Sequence, residues 1–158
     1  MLKQLKLLFF TAILSTVTTS ANAGSEVGEA ASNFTVKRLD GTEFRLSDYR
    51  GEKMVNLIFW ATWCPVCQAE IPAITSFHED YGSEVEVLAL AVNASARPIP
   101  AYVEKHALSY PVAIDTSRKV MSEYNITGTP TQILIDKDGV IIYRDGKTPD
   151  FLMESAAE

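Results

Sequence analysis

Cys64 and Cys67 are the only two cysteines in the chain, and Pro65-Val66 separates them. They follow Trp63 at the point where an apolar stretch, Met54 to Trp60, gives way to a segment with helical spacing. A three-residue offset at a helix start puts both sulfurs on one side, close enough to bridge with little backbone motion. The first turn of a helix also offers free N–H groups and positive dipole, which favour thiolate over thiol. Lowering a cysteine pKa from about 8.5 to about 7 raises the thiolate fraction at neutral pH from roughly 3% to half. Cys64, nearer the helix start, is the expected nucleophile. Cys67, one turn further in, is placed to resolve a mixed disulfide. The pattern points to thiol–disulfide exchange.

Other uses of the pair stay open on spacing. A structural staple over so short a loop removes little unfolded-chain entropy, roughly 2 kcal/mol. Zinc would need further ligands, but 27 residues lie between His78 and His106 and there is no second Cys-x-x-Cys. Both histidines fall on expected helix surfaces, so no metal site is expected. Two thiolates suit Cu(I), yet no Met or His is close in sequence to complete a copper site. A peroxidase lacks a peroxidatic cysteine separate from the pair.

The elements that must position these sulfurs fit one domain. The chain has 158 residues, 47% of them apolar and 22% charged, which is globular composition. Its 14 basic and 20 acidic side chains give a net charge of −6, without the basic excess of a nucleic-acid binder. Lys3 and Lys6 precede an apolar run, Leu7 to Val17, of 11 residues. That is short of the roughly 20 residues a permanent membrane helix needs. Ala21-Asn22-Ala23 then offers a small-x-small cleavage pattern. Residues 1–23 therefore read as a cleaved signal peptide, with an uncleaved anchor as the alternative, and the expected location is a periplasm. Without Lys3 and Lys6, 12 basic residues face 20 acidic ones, and the exported chain carries −8.

Residues 24–32 are small and polar and read as a flexible lead-in, leaving 33–158 as the domain. Asn33 to Val36 and Glu43 to Leu46 alternate around Asp40-Gly41, a hairpin signal. Met54 to Trp60 and Val85 to Val92 have the composition of strands covered on both faces. A helix is expected from Pro65 to about Tyr81, with Ile71, Ile74 and Phe77 on its apolar face and a kink at Pro72. A helix over Pro100 to His106, a strand over Pro111 to Ile114 and a helix over Ser117 to Tyr124 follow. Thr131 to Ile135 and Val140 to Tyr143 flank a second turn, Asp136-Lys137-Asp138-Gly139. Thr148-Pro149 reads as the start of a terminal helix. Strand–helix alternation followed by a hairpin makes an α/β sandwich with a mixed sheet.

Phe59-Trp60-Ala61-Thr62-Trp63-Cys64-Pro65-Val66-Cys67, with Glu70 and Pro72 behind it, resembles the thioredoxin superfamily in its exported TlpA/ResA-like branch. Gly128-Thr129-Pro130-Thr131, Ile133 to Asp136 and Asp138-Gly139 are similar to that family's cis-proline loop and hairpin. Asp40-Gly41 and Leu46-Ser47-Asp48-Tyr49-x-Gly51 are similar to its N-terminal hairpin. The resemblance runs from about residue 30 to 145. It implies a thioredoxin-like three-layer sandwich with an N-terminal hairpin extension, and a redox disulfide Cys64–Cys67 with no other cofactor. It implies a cis Pro130, and a substrate lying against Trp63, Pro65, Thr129 and Pro130. It also implies oxidised exported proteins as substrates, cytochrome c maturation among their uses, a membrane thiol electron donor and a monomer.

The sequence departs from that pattern twice. Ile58 stands where thioredoxins carry a buried aspartate, so the Cys67 proton needs another acceptor. Glu70, on the same helical face three residues on, is the candidate, and it matches an acidic position of the ResA-like branch. Pro65-Val66 places proline first in the intervening dipeptide, which tunes the reduction potential and leaves net oxidation or isomerisation as the alternative to reduction.

Overall fold

The structure, a computed structural model, describes residues 23–92 and 95–150. Its centre is a mixed sheet built on β5 (Met54–Trp60), whose residues from Val55 onward are all buried. Two short strand pairs precede it: β1 (Ala23–Gly24) with β2 (Ala30–Ala31), and β3 (Thr35–Lys37) with β4 (Glu43–Arg45). After it come α1 (Pro65–Tyr81), β6 (Val85–Ala91), α2 (Ile99–Lys105), β7 (Val112–Ile114) and α3 (Lys119–Glu123). β8 (Thr131–Ile135) and β9 (Ile141–Asp145) close the sheet, whose order is β7-β6-β5-β8-β9. β5, β6 and β7 are parallel neighbours joined through helices, while β8 and β9 are antiparallel. This is the mixed-sheet α/β architecture that the resemblance implies.

Each element has a local cause. The Asp40-Gly41 turn forms as expected: Gly41 takes φ +89° and the Asp40 carboxylate accepts from the Thr42 N–H at 2.9 Å. The second turn repeats the device, with Gly139 at φ +82° and Asp136 Oδ1 accepting from Asp138 and Val140. α1 buries Cys67, Ile74 and Phe77, and Ile71 is half-buried beside them. Pro72 sits inside α1 without ending it.

Three expectations are corrected. Residues 24–32 are folded rather than loose. The Gly28 N–H donates to Ile141 O at 2.8 Å, the Ala31 N–H to Gly139 O at 2.9 Å, and Ala30 bridges Val140. The segment thus covers the start of β9, and at the opposite edge Leu39 N–H donates to Val112 O while Arg38 bridges Ala113 of β7. Covered edges leave fewer unpaired strand groups open to other chains. The helix expected over Ser117 to Tyr124 shortens to α3, because Asp115 first turns the chain and its Oδ2 accepts from the Met121 N–H at 2.8 Å. Pro149 and Asp150, expected as the first helical residues of the terminal helix, are not helical, and residues beyond them lie outside the described ones. The signal-peptide segment 1–22 lies outside them as well.

Tyr124 locks the N-terminal segment onto the core. Its ring is fully buried against Phe34 and Phe59, and its hydroxyl donates to Ser32 O at 2.7 Å. Arg144 adds donors to Ser25 O and to the carbonyls of Tyr124 and Asn125. Burial pushes the Tyr124 phenol well above its ordinary value of 10.0, as it does for Tyr110. The folded chain then holds these protons where the unfolded chain has lost them, so stability is complete below pH 10 and falls as pH rises beyond it. Tyr124→Phe should cost about 1 kcal/mol at pH 7 through the lost hydrogen bond. It should also flatten the alkaline fall. Urea unfolding at pH 7 and across pH 9–11.5 measures both.

Candidate active site

β5 ends at Trp60, and four residues later Cys64 caps α1. Cys64 has extended backbone angles, its N–H donates to Ala61 O at 3.1 Å, and Pro65 occupies the first helical turn. Proline fits there because its missing N–H would have no intrahelical partner. Cys64 Sγ accepts from the Cys67 N–H at 3.2 Å. The sulfur nearest the helix start thus takes the place of a capping oxygen, a contact that a thiolate strengthens. The two cysteines are joined as a disulfide, with Cα atoms 5.3 Å apart. Both lie in the core, Cys64 at 3% and Cys67 at 6% exposure.

The Pro130 loop closes the outer side of the pair. The Thr129–Pro130 peptide is cis, and Thr129 O lies 3.4 Å from Cys64 Sγ. The Thr131 hydroxyl donates to Gly128 O at 2.8 Å, which fixes the loop on its way into β8. Around the buried sulfurs the surface is apolar: Trp63 is 70% exposed, Val66 is 59% exposed, and Pro65 is exposed beside them. Of the expected residues, Thr129 meets Cys64 through its carbonyl, Trp63 and Pro65 are its exposed chain neighbours, and Pro130 lines the pocket beside Cys67.

Cys67 faces inward. With Glu70, Ile71 and Ile74 of α1 it lines a small pocket whose other walls are Ile58, Trp60, Ala89, Tyr102, Leu108, Tyr110 and Pro130. Ile58, 1% exposed, supplies a hydrocarbon wall where the resemblance expects an acid. Burial pushes the phenols of Tyr102 and Tyr110 upward, so both keep their protons at neutral pH. Glu70 is the one carboxylate among the residues lining this pocket. It is half-buried, and its Oε2 accepts from Thr148 twice, from the N–H at 3.1 Å and from the hydroxyl at 3.3 Å.

Behind Glu70 lie polar residues that sequence reasoning missed. Asn56 and Gln132 are fully buried on the strands beneath α1, and Asn56 Nδ2 donates to Gln132 Oε1 at 3.1 Å. Gln132 Nε2 donates in turn to the Thr148 hydroxyl at 3.1 Å. The signal was present in the strands MVNLIFW and TQILI, where Asn56 interrupts an apolar run and Gln132 follows Thr131 directly before one. The histidines are elsewhere: His106 stacks on Tyr102, and His78 faces Tyr110 edge-on. Among the described residues no group of three or more His, Cys, Asp or Glu is placed to hold a metal ion.

Known proteins resemble this chain in sequence and fold. Residues 27–144 match the AhpC/TSA family. The chain is 37% identical over 118 residues to the thiol–disulfide oxidoreductase ResA of Bacillus thuringiensis, covering 74% of this chain and 68% of that protein. A crystal structure from Chlorobium tepidum, assigned as the thiol:disulfide interchange protein DsbE, superposes with a TM-score of 0.73 at 26% identity. That match covers 84% of this chain and 95% of the other. The exposed lipoprotein thioredoxin Etrx1 of Streptococcus pneumoniae matches with a TM-score of 0.69 at 28% identity, over 80% and 98% of the two chains. With its Cys64–Cys67 pair between an apolar rim and an inner carboxylate, the chain belongs to the AhpC/TSA family as a ResA-like thiol–disulfide oxidoreductase of thioredoxin fold.

Proposed function

We propose that this oxidoreductase reduces disulfides in exported partner proteins, with Cys64 attacking, Cys67 resolving and Glu70 carrying the proton. The carrying observation is that the two sulfurs face different surroundings. Cys64 lies against Thr129 O beside exposed apolar side chains, while Cys67 shares a small pocket with Glu70. In the first step the Cys64 thiolate attacks one sulfur of a substrate disulfide. The substrate S–S bond breaks, a mixed disulfide forms, and the other substrate sulfur leaves as a thiolate. Cys67 then gives its proton to Glu70 as its sulfur attacks Cys64 Sγ. The second substrate sulfur departs and recovers a proton. The substrate gains two electrons, and the dithiol becomes the Cys64–Cys67 disulfide.

An uncharged rim suits this use, since Trp63, Pro65 and Val66 offer contact area without selecting for charge. Thr129, beside Cys64, has backbone groups suited to pairing with an extended substrate segment. Re-reduction would come from a membrane thiol donor, and oxidised cysteines of cytochrome c precursors are one substrate class of the right chemistry. The protein would act as a monomer in a periplasm, and its acidic balance speaks against a nucleic-acid partner. No helix among the described residues is long and apolar enough to cross a membrane.

Three measurements test this. Cys67→Ala should accumulate mixed disulfides on non-reducing gels, whereas Cys64→Ala should trap almost nothing; the reverse pattern overturns the order of attack. Glu70→Gln keeps the shape and removes the titration, so resolution should slow and change its pH profile while stability is kept. A profile matching the parent at every pH would hand the proton step to water. Cleavage after Ala23 should make Gly24 the N-terminus found by mass spectrometry in the soluble exported fraction, and intact Met1 in membranes would favour an anchor.

A further inference from the structure

We infer that Thr148 is a positioning residue for the proton step, working at the end of a polar chain that leads out of the sheet through Asn56 and Gln132. The inference rests on Glu70 being the group that takes the Cys67 proton.

The chain has a direction. Asn56 Nδ2 donates to Gln132 Oε1, Gln132 Nε2 donates to Thr148 Oγ1, and Thr148 Oγ1 donates to Glu70 Oε2, at 3.1, 3.1 and 3.3 Å. A hydroxyl has one proton. Because Thr148 Oγ1 accepts from Gln132, its own proton is left for Glu70. Successive bonds of one sense polarise one another, and the last falls on a carboxylate, where hydrogen bonds are strongest. The Thr148 N–H adds a second donor to the same oxygen at 3.1 Å.

No ion pair to Glu70 occurs among the described residues. The titratable groups around it are Cys67 on its own helix, Tyr102 of α2, Tyr110 ahead of β7, and Tyr143 of β9. Burial pushes Tyr143 up to about 12, helped by Asp145, Asp150 and Glu70, so it too stays neutral. The two Thr148 donors therefore aim the carboxylate.

Stability gives no reason for the network. Asn56 Oδ1 is buried without a partner, and such an orphan acceptor is destabilising. Two apolar side chains would fill the same strands without it. Thr148 itself is brought in by the chain after β9, which turns beside the active loop. Asp145 Oδ1 accepts from the Lys147 N–H at 3.2 Å, and the Tyr143 hydroxyl donates to Lys147 O at 3.0 Å. At Gly146 a side-chain carbon would come within 3.3 Å of Pro130 O, so the strap lies close against that loop. The same segment thus borders the substrate loop and holds the proton acceptor.

The test uses the full chain and a preformed mixed disulfide between Cys64 and a small aromatic thiol, whose release reports resolution by Cys67. Rates are followed from pH 5 to 9 for the parent, Thr148→Val, Thr148→Ser, Glu70→Gln and the Thr148→Val/Glu70→Gln pair. Losing the hydroxyl donor leaves the carboxylate less firmly aimed as the proton acceptor. Thr148→Val should therefore slow resolution about tenfold on the acid side of the profile and leave the alkaline side near the parent, the scale of one lost hydrogen bond to a charged group. Thr148→Ser, which keeps the hydroxyl, should restore the parent profile, and Thr148→Val should add nothing once Glu70→Gln is present. If Glu70→Gln alters the profile but Thr148→Val does not, Glu70 keeps its role and the positioning role of Thr148 is overturned. Uniform slowing by Thr148→Val at every pH, persisting beside Glu70→Gln, would make Thr148 purely structural and overturn it too. A parent-like profile for Glu70→Gln removes the proton reading itself, and the Thr148 role with it.

Discussion

The active site depends on the antiparallel register of β5 against β8, in which Phe59 stands opposite Thr131 and Ile58 opposite Gln132. β5 delivers the chain to Cys64, and β8 begins directly after Pro130, so this one pairing brings two distant segments of sequence to the same sheet end. A slip of one residue would turn every side chain of a strand to the other face. Ile58 would leave the pocket beside Cys67, and Asn56 would lose Gln132. Burial of β5 on both faces makes such a slip costly, because Val55 and Leu57 to Trp60 would have to find new apolar partners. Precision at the sulfurs is therefore set by hydrophobic packing some distance from them.

The same face of the sheet must be dry enough to pack and polar enough to move a proton. A buried acid beneath Cys67 would answer the second need directly, at a heavy desolvation cost. Here Ile58 keeps the position apolar, and the carboxylate enters from the half-buried flank of α1 as Glu70. Neutral amides, which are less costly to bury than a charge, extend from Asn56 and Gln132 toward it. The charged group thus stays near solvent while its hydrogen-bond support reaches into the core.

Local chemistry made much of this legible. Turn residues announced both hairpins, apolar runs announced β5 and β6, and the Cys-x-x-Cys at a strand end announced the helix cap and the reactive pair. What stayed hidden depends on contacts remote in sequence. Residues 24–32 look loose by composition, yet they are ordered by hydrogen bonds to Gly139 and Ile141, more than 100 residues away. Thr148-Pro149 carries a helix-start signature, but the Thr148 hydroxyl is engaged by Gln132 and Glu70. Asn56 was visible as a polar interruption and Gln132 as a polar residue directly before an apolar run, although only the register shows that they meet.

Charge is distributed in a way that bears on recognition. The chain carries −6 overall, but no charged residue lies between Lys53 and Glu70 or between Glu123 and Asp136. Those two uncharged stretches are the ones that form the rim and the Pro130 loop. Distant surface charges are screened over about 8 Å at physiological ionic strength, so they contribute little at Cys64. Approach to the sulfur then meets the exposed indole of Trp63, Val66 and main-chain groups at Thr129, none of which carries a net charge. A sulfur that is itself 97% covered can react only with a group brought into close contact with the rim around it.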